Sequence, residues 1–285
     1  MHVIIKTLLA FLLVTFSSIS LAATGPIILG GDDLDDHGSR NGAGVNLTGW
    51  AYAEAAVGSL IAQSSNTGTT VDIVAIGPAD PGAATYPNGN SGGMVKSVTD
   101  NLGLSVTFID GVANITSFFT SLSNGTVKPK LIWIVSDGAT NDLSPAEDTE
   151  LALHGAELNA FQQSGGGILS HSHNYGWLTS LLPGISIDNA CGNITGLTPD
   201  GNTAFPSITD AQVQSPCHNS FSGNLGGLSV LAVDGSNPAL NVIIGGSAGV
   251  TITPSENIPT LSTWGLILMV SLLGLVGGFK RRRSL

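Results

Sequence analysis

The chain has 285 residues, 42% of them hydrophobic and only 10% charged, so it is neither a charged disordered chain nor a coiled coil. Its 38 glycines follow no Gly-X-Y period, which excludes collagen. Five of the nine bases (Lys6, Lys280, Arg281, Arg282, Arg283) sit in the terminal segments; this leaves Arg40, Lys96, Lys128 and Lys130 against 20 acids, a net −16 that repels phosphate backbones and excludes nucleic acid as a partner.

Residues 1–22 read as a cleavable secretory signal peptide, a substrate for signal peptidase. Lys6 precedes an apolar run from Thr7 to Phe16, and Ser20 and Ala22 are the small residues expected at positions −3 and −1 of the cut. Residues 23–252 read as one extracytoplasmic α/β domain. Apolar, β-branched runs predict strands at Pro26–Leu29, Val71–Ile76, Leu104–Ile109, Leu131–Val135, Gly167–Ser170, Leu228–Val233 and Asn241–Ile244. Most are continuous rather than alternating, as in strands covered on both faces. Helices are predicted at Trp50–Gln63, Gly93–Leu102, Ala113–Leu122, Pro145–Gln163 and Tyr175–Leu182. The fourth is the best marked, with Ser144 as N-cap, Pro145 at the first helical position and Glu147 closing a capping box. Strands alternating with helices predict a doubly wound, mostly parallel sheet with right-handed crossovers.

The stretch 192–227 has little periodicity and reads as an irregular excursion or small β subregion. Cys191 and Cys217, the two cysteines of an exported chain, flank or lie within it, and a disulfide is favoured there over a catalytic thiol. Residues 253–257 form a linker to the tail, residues 258–285. The tail holds Ile258, Pro259, Thr260, Leu261, Ser262, Trp264 and Gly265, then an uncharged run to Phe279 and the Lys280–Arg283 basic cluster. Leu261 to Phe279 makes about 28 Å of helix, enough for a transmembrane helix, and the basic cluster predicts a cytoplasmic tip. This ending resembles the IPTL-CTERM sorting signal, a relative of the PEP-CTERM tails. The resemblance implies a Gram-negative bacterium and an exosortase-type transpeptidase at the inner membrane as partner. It also implies a membrane-anchored intermediate before the protein reaches the cell surface or the medium.

Candidate chemistry gathers at the carboxyl ends of the predicted strands, where doubly wound sheets bind ligands. The first strand runs into Asp32, Asp33, Asp35, Asp36 and His37, a set that can hold a divalent cation: Ca²⁺ or Mg²⁺ through the carboxylates, Zn²⁺ with the imidazole. The same loop can instead be a solvated turn capped by Asp32 or Asp36. The fifth strand ends at His171 and His173, which point to one side of an extended segment, and Asp137 follows the preceding strand. These three are the catalytic candidates. Gly89–Gly93, at a helix start, can cradle an anion on backbone N–H groups.

From Leu143 to Trp177 the body resembles the class I glutamine amidotransferase-like superfamily. The matching residues are the capped helix Ser144-Pro145-Ala146-Glu147, the Gly165-Gly166-Gly167 turn, the strand Ile168-Leu169-Ser170 and Tyr175-Gly176. The resemblance implies a flavodoxin-like sheet. Active members carry G-x-C-x-G after this strand, whereas Ile168–Gly176 has no cysteine, so no catalytic residue is carried over. The reading that results is an exported surface or matrix protein whose domain binds a ligand or partner without turnover. The alternative is a metal-assisted hydrolase of an envelope or extracellular polymer.

Overall fold

A computed structural model describes residues 24–83, 85–136, 142–171, 173–189 and 191–247. The chain divides into two compact units, one ending at Gly249 and one beginning at Val250; the second lies outside the described residues. In the first unit, β1 (Pro26–Gly30) leads into a hairpin of β2 (Gly38–Arg40) and β3 (Asn46–Thr48), then α1 (Gly49–Gln63). Three strand–helix repeats follow: β4 (Val71–Ile76) with α2 (Ser91–Leu102), β5 (Val106–Ile109) with α3 (Val112–Ser123), and β6 (Pro129–Ile134) with α4 (Pro145–Ala152) and α5 (Gly155–Gln163). After β7 (Gly167–Ser170) come β8 (Ile185–Asp188), β9 (Asn193–Leu197), α6 (Pro199–Ala204), α7 (Asp210–Val213), β10 (Ser215–Pro216), β11 (Ser220–Gly223), β12 (Ser229–Asp234) and β13 (Asn241–Ser247).

The centre of the sheet is parallel, in the order β1-β7-β6-β4-β5. Its inner strands read as nearly unbroken apolar runs because both faces are covered, whereas β5, at the edge, is only partly buried. Ile28, Ile73, Ala75, Leu131, Trp133 and Leu169 pack with α1 and α2 on one face. Ile27, Leu29, Val74, Ile76, Ile132, Ile134 and Ile168 pack with α3, α4 and α5 on the other. The helices change face where the chain reverses direction across the sheet, between α2 and α3, as right-handed crossovers require. Within this set β4 to β7 take the flavodoxin-like order 2-1-3-4. The fifth place, beside β7, is filled by the N-terminal strand β1.

Beyond β1 the sheet is antiparallel. β13 pairs with β1, Pro26 opposite Ser247, and β12, β9 and β10 follow, with β11 and β8 branching from β13. The strands expected at Leu228–Val233 and Asn241–Ile244 are present as β12 and β13, and they belong to this antiparallel part of the mostly parallel sheet. Six residues join β12 to β13, and a parallel pair needs a crossover of about a dozen or more. Of the two expectations for the stretch 192–227, the β subregion rather than the irregular excursion is found: it supplies β9, β10 and β11 to the main sheet, with α6 and α7 between. Cys191 and Cys217 are joined, with Cα atoms 5.5 Å apart.

The capping box of α4 forms as expected: Ser144 N donates to Glu147 Oε2 and Glu147 N to Ser144 Oγ. The helix does not run on to Gln163, however. It breaks at Leu153–His154, where Gly155 passes so close to the next turn that a Cβ would stand 2.6 Å from Ser180 Oγ and 2.7 Å from Trp177 O. His154 lies at the break, stacked on Phe119 at 4.1 Å with its ring nitrogens 3.2 Å from Glu150 and Glu157. The helix expected at Tyr175–Leu182 is a single 3₁₀ turn, Leu178–Ser180; Tyr175 OH bonds Gly30 O, which ties its start to the sheet. Among the described residues no helix is long and apolar enough to cross a membrane. The expected signal peptide and the span Leu261–Phe279 lie outside the described residues.

Candidate functional site

The carboxyl ends of β1, β4, β6 and β7 meet around the acidic loop, and two glycines shape its entry. A Cβ on Gly30 would stand 1.6 Å from Asp32 Oδ2, and one on Gly31 2.0 Å from Asn219 O. Without them Asp32 folds back over the end of β1, and the chain at His218–Asn219 closes on Gly31 O through two backbone N–H groups. Leu34 N donates to Asp32 Oδ1, so Asp32 makes the local turn expected of a capping aspartate.

Asp32 also holds His171. The backbone of His171 continues β7, its N–H donating to Ile134 O, and its Nδ1 lies 2.8 Å from Asp32 Oδ1. Both side chains are fully buried, with the rings of Tyr52 and Trp133 centred 6.2 and 6.3 Å from the imidazole. Burial pushes the imidazole down, but the charge and hydrogen bond of Asp32, with Asp35 behind them, outweigh it and hold His171 above its ordinary value. Burial, with Asp32 adding, raises the Tyr52 phenol well above its ordinary range. Asp32 Oδ2, His171 Nε2 and Tyr52 OH are buried without hydrogen-bond partners.

A second group centres on Asp35, also fully buried. Its Oδ2 accepts from Ser91 Oγ at 2.8 Å and Ser136 N at 3.1 Å. The Ser91 hydroxyl also contacts Asp142 Oδ1. Burial raises Asp35, with Asp32 adding and His171, Ser136 and Ser91 opposing. Asn90 caps α2 by accepting from Gly93 N, and the helix start at Gly89–Gly93 faces these carboxylates of the chain itself.

A third group forms the rim. Asp33, only 16% exposed, stands between two imidazoles: His37 Nε2 is 3.1 Å from its Oδ2, and His218 Nε2 is 3.6 Å from its Oδ1. The His173 ring stacks on His218 with centroids 4.8 Å apart. Asp36 beside them is pushed up to about 7 by burial, with Asp35 and Asp33 adding and His218 opposing.

The sequence candidates therefore separate. Asp32 goes with His171, Asp35 with Ser91 and Asp142, and Asp33 with His37, His173 and His218. His171 and His173 do not share a centre: one enters the core and the other lies on the rim. Asp137 lies outside the described residues. Among the described residues, the group of metal-type ligand atoms all within 4.8 Å of one another is Cys191, Cys217 and Asp234, and both its sulfurs are spent in the disulfide. Sequence reasoning missed His218 and Ser91. The first had a signal in its neighbour Cys217, whose bridge and pairing with Asp32 fix where His218 emerges.

Residues 258–283 match the family model of the IPTL-CTERM motif, which supports the C-terminal sorting signal and is consistent with an exported protein. The amidotransferase-like resemblance of the body is supported by no family match. No curated protein and no solved structure matches the chain.

Proposed function

We propose that this chain is delivered through the inner membrane, held there by its C-terminal segment, and processed by an exosortase-type transpeptidase. The product is a surface or matrix protein whose α/β domain binds a ligand or partner without turnover. The observation that carries the export reading is the IPTL-CTERM match at residues 258–283. In support of a non-catalytic domain, the pair able to move a proton, His171 and Asp32, is sealed from solvent, and no cysteine stands between Ile168 and Gly176. In this reading the body is an amidotransferase-like sheet without its nucleophile.

Intact-mass measurement of material recovered from the cell surface tests the sorting step. The expected mature form lacks Trp264–Leu285; retention of those residues would reduce the tail to an ordinary anchor. One observation favours the hydrolase alternative: Asp32 orients His171 at Nδ1 and leaves Nε2 without a partner, the arrangement of a general base. Polymer hydrolysis by the purified protein that disappears in His171→Asn would replace the binding reading with that one.

A further inference from the structure

Asparagine is followed by glycine three times in the chain, at Asn41-Gly42, Asn88-Gly89 and Asn124-Gly125. We propose that Asn41 is a site of spontaneous covalent modification, where the side-chain amide is lost and aspartate and isoaspartate take its place, while the fold protects the other two pairs. The inference goes beyond the binding reading and does not depend on it.

The step needs water and no other reagent. Gly42 N attacks Asn41 Cγ: an N–C bond forms, the Cγ–Nδ2 bond breaks, and ammonia leaves with the proton that Gly42 N gives up. Water then opens the cyclic imide. Opening at Cγ restores the main chain with aspartate at position 41; opening at the Asn41 main-chain carbonyl leaves Gly42 joined through Cγ, as isoaspartate.

The loop between β2 and β3 leaves the nucleophile free. Asn41 and Gly42 are both exposed, and among the described residues none accepts a hydrogen bond from Gly42 N. A Cβ built on Gly42 would meet nothing within 4 Å, so its backbone has room to turn. The electrophile is held and polarised. Asn41 Oδ1 accepts from Ala43 N at 3.0 Å and from Val45 N at 2.9 Å, and the ring closed by the first bond contains both Cγ and Gly42 N. The same two N–H groups face the oxygen on which negative charge gathers as Cγ becomes tetrahedral.

The other pairs differ at the nucleophile. Gly89 N donates to Gly38 O at 3.1 Å, and Asn88 Oδ1 is tied to Arg40 N at 3.3 Å. Gly125 N donates to Leu122 O at 3.1 Å, at the end of α3. Both glycines are also more crowded: a Cβ would stand 3.0 Å from Asp36 O at Gly89 and 3.3 Å from Lys128 Cε at Gly125. Each N–H must leave its partner before it can attack, which slows the step by about fivefold. At Asn41 the product places a new carboxylate, and in the isoaspartate an extra main-chain carbon, beside Arg40, whose Nη1 ties the hairpin to Ser97 of α2.

The test incubates the full-length protein in detergent, at mildly alkaline pH and in water labelled with heavy oxygen, and follows all three sites by peptide mapping. Asn41 should convert first, to aspartate and isoaspartate carrying the label, about fivefold or more ahead of Asn88 and Asn124. Gly42→Ala should slow the conversion and keep the parent's melting temperature. In denaturant the three sites should convert at similar rates. The proposal is overturned if Asn41 keeps its amide, if Asn88 or Asn124 converts as fast, if Gly42→Ala leaves the rate unchanged, or if Asn41 leads by the same factor in the unfolded chain.

Discussion

Ile73 to Ile76 of β4 and Leu131 to Ile134 of β6 are buried without a break, whereas β8 and β11 leave much of their length open to solvent. The inner parallel strands β1, β4, β6 and β7 are held by apolar layers on both faces. The antiparallel strands also bury apolar residues, Ala232, Val242, Ile243 and Ile244 among them, and carry polar and covalent ties besides. Asp234 Oδ1 accepts from Ser236 Oγ, Ser236 N and Asn237 N, and its Oδ2 from Gly192 N. The Ser236 hydroxyl and these backbone N–H groups pull the Asp234 carboxyl down to about 2. The Cys191–Cys217 bridge lies at the same end. One sheet thus has two kinds of support, and the candidate site lies where they meet, at the end of β1.

The contrast breaks most directly at Trp133, fully buried on β6. Trp133→Ala should cost about 3–5 kcal/mol in denaturant unfolding. Truncation of the partly buried Ile187 on β8 should cost clearly less, and an equal cost would show that the two halves do not differ in kind. Removal of the bridge comes next. Cys191→Ser with Cys217→Ser, opening a link between residues 26 apart in sequence, should lower stability by about 3 kcal/mol. Hydrogen exchange should then quicken in β9, β10 and β11 before β4 and β6; uniform quickening would mean that the bridge supports the whole sheet equally.

The smallest effect sharpens the comparison at the junction. Asp36 is raised from 3.8 to about 7, so between those values the folded chain holds a proton that the unfolded chain has released. Stability therefore falls as pH rises through that window. His171, held above its ordinary value, acts in the same direction: the stability of its imidazolium is present below the unfolded pKa and is lost as pH rises through the folded one. Urea unfolding in chelator should give a lower midpoint at pH 8 than at pH 5, by a modest amount because Asp36 is only half-buried. A higher midpoint at pH 8 would contradict the assignment.

The same division governs what the sequence reveals. The runs at Val71–Ile76 and Gly167–Ser170 are legible to the residue because burial on both faces demands unbroken apolar sequence. The hairpin of β2 and β3 is not, since Gly38–Arg40 carries no apolar side chain and its backbone is placed by contacts with α1 and α2. The break at His154 depends on the turn at Trp177–Ser180, a tertiary contact that a capping box cannot announce. Sequence pattern brings out the acidic loop and His171, because strand ends point to the crevice. It does not say that Asp32, Asp33 and Asp35 take three different partners. Those choices depend on Ser91, Ser136 and His218, which the topology delivers from distant loops.

The pairing of Pro26 with Ser247 leaves the beginning and the end of the sheet side by side. Adjacent ends permit circular permutation. A short hairpin turn from Ser247 to Pro26, with new ends opened in residues 64–70 between α1 and β4, would reorder the parallel strands along the chain as β4, β5, β6, β7, β1. Their places in the sheet would then read 2-1-3-4-5, the flavodoxin-like order, without moving a strand. The present chain and that common fold are one splice apart, and the acidic loop after β1 would become the loop after the fifth strand.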